Sequence, residues 1–552
     1  MVAGEDRGPN AMNPSIYVND PYFWLRDDAR KDPEVIKHLQ SENAFTNASL
    51  AKLATLQDSI YRELLSHVQE ARSSLPVRWG PYEYYEQNKP GLGYRIHMRR
   101  RVGAAEGTSG EVILDENELA EASKFMSIGS LRPSPDHNVL AYSVDFTGEE
   151  VYTVFFKDLR TGELLPQTIN STTGSLSWGK DNAHVYYTTA DEAKRSYRAW
   201  RHNFNCSTPH ECSDTLLLEE PDTVFRVGIS RSSSSEFLVL SSGSADTSEV
   251  YYIDLSDPLV PKKLIRARET GVMYSVTHHK QSFFIVTNID GAVNSKVMIA
   301  PIKPESGSEW RDLIQYNASV AISGLHAFAA HIVISGREDG LTQMWVLDAS
   351  RSGLMLEADL RKIEFDEPVY AVSSAANREY HTTKFRFEFM SMITPKQTVE
   401  YDMSTHAKRV LDVVEVPNFD PSLYATERIY VPARDGTKIP LSIAYRRDLR
   451  KAGANPFHLY GYGSYEVTIE PRLSRSSLPL LDRGVIYGIA HIRGGGAGGR
   501  EWYEAARMLT KKVTFTDFVE VAEHLVKQGI TSPSQLTVAG GSAGGVLMGA
   551  VL

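Results

Sequence analysis

Cysteine is almost missing from this chain: 552 residues contain two, Cys206 and Cys212. No disulfide framework is expected, and so few thiols suit a reducing, cytoplasmic compartment. His210 stands between them, but two thiols and one imidazole in one polar loop lack the second ligand pair of a structural zinc site. That segment reads as a surface loop of free thiols, and no metal or other cofactor is expected. Also missing is an uninterrupted apolar run of about 18 residues, so no membrane span is expected. The first thirty residues have no basic start followed by an apolar core, which excludes a secretory signal of the usual form, and the sequons at Asn47 and Asn170 count as chance. Positive charge is in deficit: 59 Lys and Arg stand against 69 Asp and Glu, a formal net charge of −10. That balance argues against a general nucleic-acid or anionic-membrane binder and favours cationic substrates.

What is present is a folded-protein composition, 42% hydrophobic and 23% charged, in a chain too long for one ordinary domain. Three regimes follow one another. Residues 28–71 place apolar side chains at helical spacing among many charges, as one or two amphipathic helices. From about Val77 to Glu415, short β-branched and aromatic runs alternate with Gly, Ser, Asn and Asp. From about Leu423, apolar strands alternate with helical stretches, the pattern of an α/β sheet.

The middle regime repeats. A polar turn, an apolar strand, a short loop and a second strand begin at Ser134, Ser177, Ser230, Thr277, His326 and Ser374, 43 to 53 residues apart. A looser unit from Trp79 makes seven. The period is that of a four-stranded blade, so a seven-bladed β-propeller is expected, with a long β-sandwich as the alternative.

In the last regime two strand-like runs, Arg428 to Ala433 and Lys438 to Tyr445, flank Asp435-Gly436, a strong hairpin signal. Further on, a strand from Gln535 to Ala539 runs into Gly540-Gly541-Ser542-Ala543-Gly544 and an apolar helix. Strand, sharp turn, serine and helix are the context a G-x-S-x-G nucleophile requires. Small neighbours tolerate the strained turn, and the helix start aims N–H groups at the oxygen that gains charge in acyl transfer. Ser542 is the candidate nucleophile and the N–H of Ala543 the candidate oxyanion donor.

Taken in order, "DPYFWLRDD", the propeller-like middle, "YGYGSY" at Tyr460, "LLDRGVIYGIAHIRGGG" from Leu480 and the final "GGSAGGVLMGAVL" resemble the prolyl oligopeptidase family of serine peptidases. Within it the Gly-Gly-Ser-Ala-Gly-Gly string is most similar to oligopeptidase B; prolyl-specific relatives typically carry Gly-Ser-Asn-Gly-Gly there. The resemblance implies an α/β-hydrolase domain whose entrance a propeller covers, so that short peptides are the substrates. It implies cleavage after Arg or Lys, and it assigns the second oxyanion hydrogen bond to the hydroxyl of Tyr462. It divides the chain into an N-terminal helical segment, 1–72, packed on the peptidase domain, a propeller, 73–417, and an α/β-hydrolase domain, 418–552, incomplete after the nucleophile turn. "DPYFWLRDD" is then an aromatic anchor.

Two departures stand out. Relatives usually have Glu-Leu-Gly after "RGGG", where this chain has Ala497-Gly498-Gly499. And a triad needs an acid and a base, which in α/β-hydrolases follow the serine. The ten residues after Ser542 contain no Asp, Glu or His. The family uses none of the upstream candidates His491, Asp517 and His524, so the 1–552 chain is expected to be inactive, with the strand before Ser542 left as an open edge. Two further readings remain: a propeller-based binding protein without catalysis, and an esterase, against which the propeller argues.

Overall fold

The computed structural model describes residues 19–105, 107–121, 123–205, 214–302, 309–349 and 360–552. The loop with Cys206, His210 and Cys212 lies outside the described residues. No described helix is long and apolar enough to cross a membrane.

The chain divides into two compact units, Met1–Ser66 and His67–Leu552. The first contains α1 (Pro33–Leu50) and α2 (Ala54–Ser66). Asp32 caps α1 by accepting a hydrogen bond from the Glu34 N–H, with Pro33 at the first helical position, where its missing N–H costs nothing. Trp24 of "DPYFWLRDD" meets the ring of His38 edge-on at 5.2 Å.

The second unit opens with antiparallel sheets laid face against face. Within each, residues alternate inward and outward, and successive sheets share apolar cores. Tyr186 and Ala199 of one sheet pack with Leu238 and Ile253 of the next, Phe237 and Tyr252 with Phe283 and Ile285, and Phe328 and Val333 with Phe385 and Phe387. Each such side chain, fully buried, contributes about 1.5–3 kcal/mol.

The expectation of seven separate blades is not met. The described residues form five sheets of blade size, one of five strands and four of four, together with a single seven-stranded sheet. The reason lies in the strand Leu164–Trp178, which is 15 residues long. Its first part pairs with Tyr152–Asp158 and its second with His184–Ala190, and Thr172 is the register partner of both Tyr152 and Thr189. Gly174, at φ +84°, lets the strand bend here: a β-carbon on it would lie 3.0 Å from the Tyr152 ring. Ser143 Oγ donates to the Gly174 carbonyl at 2.8 Å, so the bend keeps its polar groups satisfied. The units beginning at Ser134 and Ser177 therefore share one continuous ladder. The first sheet (72–115) and the last (371–413) share no strand. They meet through side chains: the Arg72–Asp412 ion pair, Arg386 Nη1 donating to the Pro76 carbonyl at 2.9 Å, and the Gly80 N–H donating to Glu379 at 2.8 Å.

Beyond the propeller region comes a five-stranded sheet built from β1 (Tyr424–Pro432), β2 (Lys438–Arg446), β3 (Phe457–Gly461), β4 (Ile486–Ala490) and β5 (Leu536–Ala539). Its order is β1-β2-β4-β3-β5. The hairpin at Asp435-Gly436 is there, with Pro432 opposite Lys438 and Gly436 at φ +87°. β3 lies parallel to β4 and to β5, and β5 is an outer strand whose described partner is β3 alone. Among the helices of this region, those of five or more described residues are α3 (Arg500–Glu504), α4 (Lys512–Lys527) and α5 (Gly544–Val551). Leu441, Ile443, Phe457 and Leu459 of the sheet pack with Phe518, Val521 and Leu525 of α4 and Leu547 of α5, all at most 1% exposed.

Candidate active site

Ser542 stands where β5 ends and α5 begins, at φ +54°, a left-handed conformation that a serine adopts only under constraint. The glycines around it are dictated by close backbone approach. A β-carbon on Gly540 would sit 2.5 Å from the Gly544 carbonyl oxygen and 2.9 Å from that of Gly461, and one on Gly544 would sit 2.9 Å from the same Gly461 oxygen. The turn is thus pressed against the end of β3, which gives the expected small residues their physical reason.

The same approach places Tyr462 beside the turn. Its ring carbon Cδ2 lies 3.6 Å from where a β-carbon on Gly544 would be, while the Tyr460 hydroxyl lies 3.5 Å from that position on Gly541. At the helix start, the Gly544 N–H donates to Gly541 and the Gly545 N–H to Ser542, both at 2.8 Å. The Ala543 N–H has no such acceptor, and neither the Ser542 Oγ nor the Tyr462 hydroxyl has a partner among the described residues. Ser542 itself is exposed. The arrangement gathers a hydroxyl, an unpaired N–H at a helix start and a phenol around one turn.

The loop that carries Tyr462 is held from behind. Lys511 Nζ donates to Ser464 Oγ at 2.8 Å, and Thr514 Oγ1 lies 3.3 Å from the Gly463 carbonyl and 2.9 Å from that of Arg493. Burial lowers the Lys511 pKa below the usual lysine range.

The upstream acid and base candidates have other work. Asp517, fully buried, accepts the Arg493 backbone N–H at 3.0 Å, its Nε at 2.9 Å and its Nη2 at 2.6 Å. Arg493 also reaches Asp435 at 2.5 Å; these carboxylates raise its pKa, and Asp435 falls to about 2 through the Thr437 N–H and the Arg493 guanidinium. His491 is buried against Ser442 Oγ at 2.8 Å, and desolvation with the nearby Arg428 charge holds it neutral, well below its ordinary pKa. His524 lies on α4. None of the three is hydrogen-bonded to Ser542.

Sequence reasoning did not find the contacts that join the propeller region to this site's supporting loop. Asn294 Oδ1 accepts the Arg500 N–H at 2.9 Å, Arg500 Nη1 donates to the Ala245 carbonyl at 3.1 Å, and Arg337 pairs with Glu470. Gly499, at φ +78°, makes room: a β-carbon there would meet Asn294 Oδ1 at 2.4 Å. Ala497, where the resemblance led a glutamate to be expected, is buried in this loop, with its carbonyl 3.6 Å from the β-carbon position of Gly340. These pairs lie up to 255 residues apart, and no local signal announces them.

The family "Prolyl oligopeptidase, N-terminal beta-propeller domain" matches residues 2–414, and "Prolyl oligopeptidase family" matches residues 471–552. The chain belongs to the prolyl oligopeptidase family. Members of this prolyl oligopeptidase family are serine peptidases, hydrolases that act on peptides. Protease 2 of Moraxella lacunata is 35% identical over 96% of this chain and 76% of its own length. Dipeptidyl aminopeptidase BI of Pseudoxanthomonas mexicana is 37% identical over 97% of this chain and 74% of its own. Among solved structures, oligopeptidase B from Leishmania major superposes with a TM-score of 0.93 at 39% identity, over 100% of this chain and 78% of that one. Oligopeptidase B from Trypanosoma brucei, with covalently bound antipain in a closed form, gives 0.91 at 38% identity, over 100% and 78%. The chain thus spans about three-quarters of the length of these prolyl oligopeptidase relatives.

Proposed function

We propose that the protein is a cytoplasmic serine oligopeptidase that cleaves short peptides after Arg or Lys through an acyl-enzyme on Ser542. The observation that carries this is the left-handed Ser542 between β5 and α5, with the unpaired Ala543 N–H and the Tyr462 ring beside it. In this mechanism Ser542 Oγ attacks the scissile carbonyl carbon while its proton passes to a base. The carbonyl oxygen, now negative, is held by the Ala543 N–H and the Tyr462 hydroxyl, an interaction stronger in the transition state than in the substrate. Collapse expels the amine, and water then releases the acyl group and restores Ser542. The preference for basic residues is supported by the net charge of −10 and by the likeness to oligopeptidase B. Relatives named for dipeptidyl and for prolyl cleavage make that preference the point to test.

No base or acid for Ser542 stands among the described residues: His491 and Asp517 are engaged elsewhere, and the last ten residues carry neither type. We infer that polypeptide 1–552 alone does not turn substrate over. A fluorophosphonate probe reads both statements. Any form of the protein that hydrolyses Arg and Lys amides faster than a prolyl amide is expected to take the label on the Ser542 peptide, and recombinant 1–552 to do neither. Labelling at another serine, prolyl preference, or inhibitor-sensitive turnover by 1–552 would each overturn the corresponding part.

A further inference from the structure

A cavity of about 640 Å³ opens among the first propeller sheet, the last one and the strand Ser127–Pro133. That volume is within the range of small-ligand pockets, roughly 300–1,000 Å³. Six cationic side chains lie on its wall, and four are neutralised. Arg72 pairs with Asp412, Arg95 with Glu86 at 3.0 Å, Arg386 with Glu400 at 3.4 Å and Lys396 with Glu388 at 2.7 Å. Arg132 and Arg378 are the exceptions: among the described residues neither has a carboxylate within ion-pair distance. Arg132 Nη1 donates to the Leu131 carbonyl at 3.0 Å, and the Arg378 guanidinium lies over the Trp79 ring at 4.9 Å.

Both arginines line the one cavity. Desolvation and then the Arg378 charge lower the Arg132 pKa, and desolvation lowers that of Arg378. Arg378 nevertheless remains open to water, as a group lining a channel would. Arg132 is half-buried and Arg378 exposed, so both guanidiniums can reach a ligand in the cavity with no carboxylate competing for them. Two guanidinium forks lining one cavity suit an oxyanion, which accepts bidentate, charge-assisted hydrogen bonds from such groups.

The cavity is distinct from the Ser542 site. Arg378 also depresses His326, on the strand Val320–Ala327, whose other end packs against the hydrolase: a β-carbon on Gly499 would meet Ala321 Cβ at 2.7 Å. Five residues of strand separate Ala321 from His326, about 16 Å. No residue of the five-stranded sheet or its helices lines the cavity.

We propose that this cavity binds the carboxylate of a short peptide between Arg132 and Arg378, against the Trp79 ring. The choice of a peptide rests on the oligopeptidase reading, since a free carboxylate is the oxyanion every peptide carries. The net charge of −10 repels anions in general, so saturable uptake of one reports a local site.

Calorimetric titration of the purified protein with tetra-alanine, its C-terminal amide and inorganic phosphate tests this without using hydrolysis, so failure leaves Ser542 labelling unaffected. Tetra-alanine is expected to bind saturably, its amide about tenfold more weakly or worse, and the R132Q/R378Q double variant to lose about tenfold or more for the acid. Equal binding of acid and amide, wild-type affinity in the double variant, or binding of phosphate but not the acid overturns the proposal. Relief of the mutual repulsion should leave the double variant at least as resistant to urea as the parent. If it unfolds early instead, R378K, which keeps the charge and loses the fork, is read in its place. A loss of about threefold or more supports the site and unchanged affinity overturns it.

Discussion

Two glycines five residues apart in the same short motif, Gly540 and Gly545, should respond to alanine with opposite signs. At Gly540 the new methyl would stand 2.5 Å from the Gly544 carbonyl oxygen and 2.9 Å from that of Gly461. Carbon and carbonyl oxygen normally approach no closer than about 3.3 Å, so the overlap with Gly544 is about 0.8 Å. Both obstacles are backbone, one in α5 and one at the end of β3, and neither can rotate aside. Relief requires β5, α5 and β3 to separate, an overpacking cost of about 1–3 kcal/mol or more. At Gly545 a β-carbon meets nothing within 4 Å, and the residue lies inside α5. There alanine removes backbone freedom from the unfolded chain and should stabilise by about 0.5–1 kcal/mol. The two variants should therefore differ by about 1.5–4 kcal/mol in urea unfolding, read as a shift in midpoint at unchanged slope. If G540A unfolds with the parent, or G545A falls with G540A, the argument that the turn is pressed on β3 is wrong.

Two further outcomes are expected. Asp517→Ala leaves the Arg493 Nε and Nη2 donors buried without an acceptor, with only Asp435 on Nη1 remaining as counter-ion, and should cost about 3 kcal/mol, with Asp517→Asn losing less; a loss below about 1 kcal/mol in urea unfolding would show that this pair does not anchor the loop. His326 has its pKa lowered to about 4 by burial and by the Arg378 charge. Its neutral form is favoured in the folded protein, so this contribution is complete above the unfolded value of about 6.5 and is lost as pH falls from there toward 4. Urea midpoints of the parent should fall more steeply across that window than those of His326→Gln, and parallel profiles would contradict the assignment.

The parts of the molecule readable along the chain are those whose causes are local. Asp435-Gly436 supplies the positive φ that a tight hairpin needs, and Pro432 does face Lys438. Gly540 to Gly544 crowd one serine between a strand and a helix, and the turn has that form. The propeller period was visible because each unit spells out its own turns and alternation, but the number of separate sheets was not. Whether a ladder stops at a turn depends on whether hydrogen bonds persist across it. At Thr172 and Gly174 they do, because Ser143 satisfies the bent strand from a neighbour 31 residues away.

The site divides in the same way. The types and spacing of residues around Ser542 come from neighbours in sequence, through the steric limits of a short turn. That Tyr462 sits beside Gly544, that Asp517 holds Arg493 and not a histidine, and that Asn294 receives the Arg500 N–H are settled only by packing. These groups are distant in the chain, and their pairing depends on which buried charges and donors the folded core leaves to be satisfied. Arg132 and Arg378 show the same principle from the other side. Their lack of a carboxylate partner appears only when the last propeller sheet and the strand Ser127–Pro133 are brought to one cavity.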